Sequence, residues 1–285
     1  MPSHPEVTAL QQRASVLHTP CGDGTLVWHR WGTPSQPPLL LLHGGSGSWT
    51  HWVRNIDALA AAGWQVLVPD MPGFGDSAAP PDGHDADVLP GWLEQGLHAL
   101  LGPQPVACVG FSFGGLVAGL WAQAQPARLA RLVLVGCPGL SAELLPPLPL
   151  QRWDSLPPGP ARTAAHRHNL LTLMLARPES ATPLAVALHA ANVERDRLRR
   201  RRLMLTDALC LVLPTLRCPL HGIWGGQDVL YRHRLPLVQQ VLSTAPGFGG
   251  LQVLPDAGHW VQFEAADAFN AALAGALSTY SAQAP

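Results

Sequence analysis

The chain has 285 residues, 47% hydrophobic and only 13% charged, with a formal net charge of −1. This is enough apolar material for two domains or one large α/β domain with an insertion, and it excludes disorder and collagen-like or low-complexity chains. Nothing in the overall charge calls for nucleic acid or an acidic membrane. The cysteines, Cys21, Cys108, Cys137, Cys210 and Cys218, are odd in number and include no C-x-x-C pair. That argues against a disulfide framework or a structural zinc site and fits a reducing compartment. Met1 to Thr19 carries no apolar signal-peptide core, and no run approaches the roughly 18 apolar residues of a membrane span. A cytoplasmic protein is expected.

In chain order, Leu26–Trp31 reads as a strand. Pro38–Leu42 is a continuous apolar run ending at Gly44-Gly45, as a strand buried on both faces should be. Gln65–Pro69, Val106–Gly110 and Leu132–Val135 follow, the last two separated by a helical stretch, Gly114–Gln125. Leu220–Trp224 and Leu251–Leu254 come later. This βαβ rhythm predicts a mostly parallel, doubly wound sheet. Between Pro138 and Leu216 no strand signal appears. A Pro-rich stretch (Leu145–Pro160) leads into helical segments, one of them capped by Thr182-Pro183. The expected organisation is a core of residues 1–138 and 217–285 with a helical cap at 139–216. A last helix after His259 carries Val261, Ala265, Phe269, Leu273 and Leu277 on one face.

The chemistry concentrates in Gly110-Phe111-Ser112-Phe113-Gly114-Gly115, between a strand and a helix. A sharp strand-to-helix turn strains the serine backbone and presents its hydroxyl at a helix N-terminus, where developing negative charge is favoured. A tight turn around a buried serine is the bland alternative. A serine needs a base, and in this order of elements the acid and then the histidine come later in the chain. His259, in Asp256-Ala257-Gly258-His259-Trp260, is the base. Asp228, at the end of the strand Leu220–Trp224, is the acid. Asp256 is only three residues from His259 and reads as shaping that turn. The oxyanion donors are expected to be the N–H of Phe113 and an N–H from His43-Gly44-Gly45-Ser46-Gly47: Gly45, with Ser46 the neighbouring alternative. The Asp70–Ser77 cluster reads as structural. The run Arg199–Arg202, with Arg195 and Arg197, reads as a solvated helix face rather than a nucleic-acid site, because no aromatic residues interleave it.

With these residues the chain resembles the α/β-hydrolase superfamily from about Val16 to Leu277. The resemblance implies an eight-stranded sheet with helices on both sides, a helical cap, and a serine hydrolase without cofactor or metal. The tail Gly258-His259-Trp260-Val261-Gln262-Phe263-Glu264, followed by Ala266-Asp267-Ala268-Phe269-Asn270, is similar to that of the meta-cleavage-product hydrolases, which cleave a carbon–carbon bond in ring-fission dienoates. In that family a Trp after the histidine lines the site, which implies a substrate-binding role for Trp260. The family carries Asn before the nucleophile, where this chain has Phe111, and a cap arginine, where this chain reads His189-Ala190-Ala191-Asn192. Phe111 is therefore expected to present an apolar wall to the substrate. The expected activity is hydrolysis of a small-molecule carboxylic ester through an acyl-enzyme. Carbon–carbon hydrolysis is the second reading, with Arg195 or Arg197 as the charge partner, and a catalytically silent ligand-binding protein is the third. The partners expected are a small-molecule substrate, no nucleic acid and no membrane, with room for a homo-oligomer.

Overall fold

The computed structural model describes residues 4–141, 147–198 and 200–278. Of the features read from the sequence, Met1–Ser3, Leu145, Pro146 and Arg199 lie outside the described residues. The chain opens with α1 (Pro5–Gln12) and a hairpin of β1 (Ser15–Cys21) and β2 (Gly24–Trp31). Strands and helices then alternate: β3 (Pro38–Leu42), α2 (Ile56–Ala61), β4 (Gln65–Pro69), α3 (Leu89–Leu101), β5 (Val106–Phe111), α4 (Phe113–Ala124) and β6 (Leu129–Val135). The insertion holds α5 (Pro160–Leu173), α6 (Pro183–Glu194) and α7 (Ala208–Val212). The last segment supplies β7 (Leu220–Gly225), α8 (Leu235–Leu242), β8 (Phe248–Leu254), α9 (Val261–Glu264) and α10 (Ala266–Ser278).

The eight strands form one sheet in the order β1-β2-β4-β3-β5-β6-β7-β8, antiparallel at the β1–β2 and β2–β4 pairs and parallel from β4 onward. This is the α/β-hydrolase fold. Alternation along each strand sends neighbours to opposite faces. Leu40 and Leu42 join the core under α3, α4 and α8. Leu39 and Leu41 join the other core, with α1, α2 and α10. Both faces are covered, so the central strands read as unbroken apolar runs rather than alternating ones.

β1 escapes the sequence reading because it is an edge strand that buries only Thr19 and Cys21. The single helix expected after His259 is two: Ala265 leaves the helical region, with φ −122° and ψ 50°, between α9 and α10. The break follows Glu264, whose side chain is drawn inward. Thr182 caps α6 as expected, its hydroxyl accepting from the Ala185 N–H at 3.2 Å, with Pro183 as the first helical residue. Within the insertion, Leu170 of α5 and Leu184 and Leu188 of α6 pack in the same core as Trp260, above the sheet. α7 sits elsewhere: Leu209 and Val212 pack in the core of α4.

Candidate active site

β5 ends at Phe111 and α4 begins at Phe113, so Ser112 alone makes the turn. Its backbone has φ 50° and ψ −122°, a region that side chains avoid. The crossing of strand and helix is tight enough to exclude side chains. A Cβ on Gly110 would lie 2.5 Å from Gly115 Cα, and one on Gly114 would lie 2.4 Å from the His43 carbonyl oxygen. The Ser112 N–H donates to the Val135 carbonyl at 2.7 Å, which anchors the turn to β6.

The structure brings Ser112, His259 and Asp228 together. His259 Nε2 lies 3.0 Å from Ser112 Oγ, and its Nδ1 lies 2.8 Å from Asp228 Oδ2. Asp228 follows β7 and is fully buried, its second oxygen accepting from the Leu230 N–H at 3.0 Å. Asp256 is exposed in its turn, away from this relay. The His259 loop is held from behind by Glu264. The Glu264 side chain is fully buried and accepts the N–H of Gly258 at 2.7 Å, of Ala176 at 2.9 Å and of Arg177 at 2.8 Å. One carboxylate thus ties the histidine turn to the end of α5, and the Trp260 N–H adds a bond to the Met174 carbonyl at 2.7 Å.

Among the described residues no hydrogen bond engages the N–H of Gly45 or of Phe113. The Gly44 N–H is used: it donates to Nδ1 of His51 at 3.2 Å. His43 is a loop-shaping residue, accepting the Met71 N–H at Nε2 (2.9 Å) while Nδ1 bonds the Gly44 carbonyl (2.8 Å). Asp70 is likewise structural, accepting the N–H groups of Trp49 (2.8 Å) and Asp76 (2.9 Å) from a fully buried position.

Ser112 opens on a cavity of about 480 Å³ between the sheet and the insertion. Phe111 lines it, with its ring edge-on to His51 at 5.4 Å and tilted on His259 at 5.1 Å. Trp260 does not line it, which corrects the role expected for that residue. Its side chain is 1% exposed, stacks on Phe263 at 4.2 Å, and donates from Nε1 to the His51 carbonyl at 2.9 Å. It stands one layer behind His51 because the short α9 turns it back into the core.

The arginines also depart from expectation. α6 ends at Glu194, so the basic run is not a helix face. Arg195 pairs with Asp76 at 2.7 Å, and Arg197 donates to the carbonyls of Phe74, Gly75 and Ser77, so both are committed to the Asp70–Ser77 loop. Two other arginines reach the cavity, and both come with a carboxylate partner: Arg152 pairs with Asp154 at 3.3 Å, and Arg201 bonds Asp196 through Nη1 at 2.8 Å and Ser46 Oγ through Nη2 at 3.2 Å. Sequence reasoning missed Arg152 and Arg201 with their partners, and it missed His51 and His189, which also line the cavity. Burial pushes the His189 imidazole down to about 4 and the His51 imidazole well below its ordinary value.

Among the described residues no helix is long and apolar enough to cross a membrane. Residues 37–174 match the family model described as alpha/beta hydrolase fold. The chain is 28% identical over 246 residues to a 2-hydroxy-6-oxo-6-phenylhexa-2,4-dienoate hydrolase of Burkholderia cepacia, covering 81% of this chain and 84% of that protein. It is also 28% identical over 246 residues to a 2-hydroxy-6-oxononadienedioate/2-hydroxy-6-oxononatrienedioate hydrolase of Comamonas testosteroni, with the same shares covered. Among solved structures, it superposes with a TM-score of 0.76 on a meta-cleavage product hydrolase from Pseudomonas fluorescens IP01, at 22% identity over 94% of this chain and 99% of that one. An esterase from Rhodococcus sp. ECU1013 gives a TM-score of 0.74 at 22% identity, over 93% and 99%. The family match over residues 37–174, the named relatives and the eight-stranded sheet agree: the chain is a hydrolase with the α/β-hydrolase fold.

Proposed function

We propose that the chain hydrolyses uncharged carboxylic esters through a covalent acyl-enzyme on Ser112. The observation that carries this reading is the relay from Ser112 through His259 to Asp228, opening on a cavity whose charged groups are already paired. His259 Nε2 takes the Ser112 proton as Oγ adds to the ester carbonyl carbon. Asp228 holds the Nδ1–H and stabilises the imidazolium. The free N–H groups of Phe113 and Gly45 receive the oxyanion, since that of Gly44 is spent on His51. The tetrahedral adduct collapses, the C–O bond breaks, and His259 returns its proton to the leaving alkoxide. Water then adds to the acyl-enzyme with His259 again as base, releasing the acid and free Ser112.

Carbon–carbon hydrolysis of dienoates is the second reading, favoured by the names of the curated relatives. Against it stands the cavity itself. Phe111 lies beside the nucleophile, and Arg201 is neutralised by Asp196. A lost charge-assisted hydrogen bond costs roughly 1.5–3 kcal/mol, about 10- to 150-fold in rate. The test assays neutral phenyl esters and ring-fission dienoates on one preparation, with a fluorophosphonate probe applied to wild type and Ser112→Ala. Ester turnover with the higher kcat/KM and labelling lost in Ser112→Ala are expected. Dienoates ahead by tenfold would replace the first reading with the second, and labelling at another serine would remove Ser112 from both.

A further inference from the structure

Beside the Nε of Arg201, whose guanidinium is ion-paired through Nη1, the polar groups left over in the cavity include two imidazoles. His51 is 3% exposed and sits in the short helical turn after the Gly44–Gly47 loop. Its Nδ1 accepts the Gly44 N–H, and a ring nitrogen that accepts an N–H carries no proton, so the ring proton sits on Nε2. The residue lines the cavity, and the ring's hydrogen bond to Gly44 leaves Nε2 as its donor. The Gly44 it holds stands against the nucleophile, since a Cβ on Gly44 would lie 3.2 Å from Ser112 Cβ.

His189 approaches from the insertion. It lies three residues before Asn192 on α6, hence on the same face. Asn192 is fixed to the segment that carries His51: its Oδ1 accepts from Ser48 Oγ at 2.7 Å, and its Nδ2 donates to Thr50 Oγ1 at 3.0 Å. That contact docks α6 on residues 48–51 and brings His189 over the cavity. His189 is 9% exposed and lines the cavity. Its ring neighbour is His166, edge-on at 5.9 Å. A buried imidazole with no acid in contact stays neutral and offers one donor and one acceptor.

We propose that His51 and His189 form a hydrogen-bonding subsite that selects uncharged substrates bearing a hydroxyl or carbonyl oxygen a few bonds from the scissile carbonyl. This rests on the ester reading above and narrows it to hydroxyacyl or oxoacyl esters. Two neutral rings match such an oxygen, whereas a carboxylate would meet guanidiniums that already have carboxylate partners, Arg152 with Asp154 and Arg201 with Asp196.

The test uses the full chain with Ser112→Ala, so that binding is read without turnover. Calorimetry compares phenyl butanoate, phenyl 3-hydroxybutanoate and the anionic monophenyl succinate. The hydroxyester is expected to bind about tenfold tighter than the plain ester, the worth of one net hydrogen bond, and the anion weakest. Adding His189→Phe or His51→Leu should bring the ratio of hydroxyester to plain ester toward one. His189→Gln, which keeps a donor and an acceptor, should hold it. Equal binding of the two neutral esters, tightest binding of the anion, or a ratio unmoved by either histidine change would overturn the subsite. Failure of the ester reading shows elsewhere, as absent ester turnover by wild type, and leaves this binding ratio measurable.

Discussion

Glu264 offers a measurable test of how the histidine turn is held. Its buried carboxylate is the acceptor for three N–H groups, the buried one of Gly258 next to His259 and the part-buried ones of Ala176 and Arg177 on the insertion side. Replacing it with Ala would leave all three donors without a partner. A buried donor left unsatisfied costs about 1–3 kcal/mol, and water can reach the two part-buried ones, so Glu264→Ala should lose about 2–4 kcal/mol. Glu264→Gln is the sharper probe. It keeps the shape and one carbonyl oxygen, removes the charge that strengthens the bonds, and turns an NH2 toward at least one N–H. A loss of about 2–3 kcal/mol is expected. Urea unfolding reads it as a lower midpoint at unchanged slope. Because Gly258 precedes His259, kcat on an ester should fall as well, with KM much less affected. A Glu264→Gln protein within about 0.5 kcal/mol of wild type and with unchanged kcat would refute the reasoning, since surface substitutions alone stay inside that margin.

Asp228→Asn should lower kcat by about 10³–10⁴-fold, measured on a phenyl ester, while Asp256→Asn changes it little; the reverse pattern would move the acid to Asp256. Gly114→Ala pushes a methyl to 2.4 Å from the His43 carbonyl oxygen, a backbone atom that cannot step aside, so it should destabilise by several kcal/mol or yield no soluble protein. His29 and His189 are each held down to about 4 by burial, so both enter the folded state neutral. Their contribution is complete above the unfolded value of about 6.5 and is lost as pH falls from there to about 4, on the order of 3 kcal/mol for each. Unfolding free energies across that window should fall steeply, and His29→Phe should flatten the fall.

What could be read from the residues was whatever is local. Seven strands announced themselves because each central strand is apolar on both faces, and Gly110–Gly115 announced the turn because its glycines admit a crossing that no other residue allows. β1 was silent because Ser15–Cys21 breaks its few apolar residues with His18, Thr19 and Pro20. Arg201 and His51 were silent for another reason. Arg201 belongs to a run of arginines that all look alike in sequence, and only the Asp196 and Ser46 contacts single it out. His51 follows a loop whose path is set by Asp70 and Asn192, the latter more than a hundred residues away. Trp260 was misplaced for the same reason: adjacency to His259 fixes its position but not its direction, and the break at Ala265 decides that.

The strained backbone at Ser112 has an evolutionary consequence. A non-glycine residue held at φ 50° and ψ −122° carries about 1–3 kcal/mol that the fold must absorb. Glycine occupies that region freely, so Ser112→Gly would discard the nucleophile and gain stability in the same step. Loss of the hydroxyl is thermodynamically downhill for this scaffold. On the role proposed for Ser112, a lineage that keeps serine here is held there by selection on turnover, and descendants freed from that selection have a short path to a sturdier, inert protein with the cavity intact.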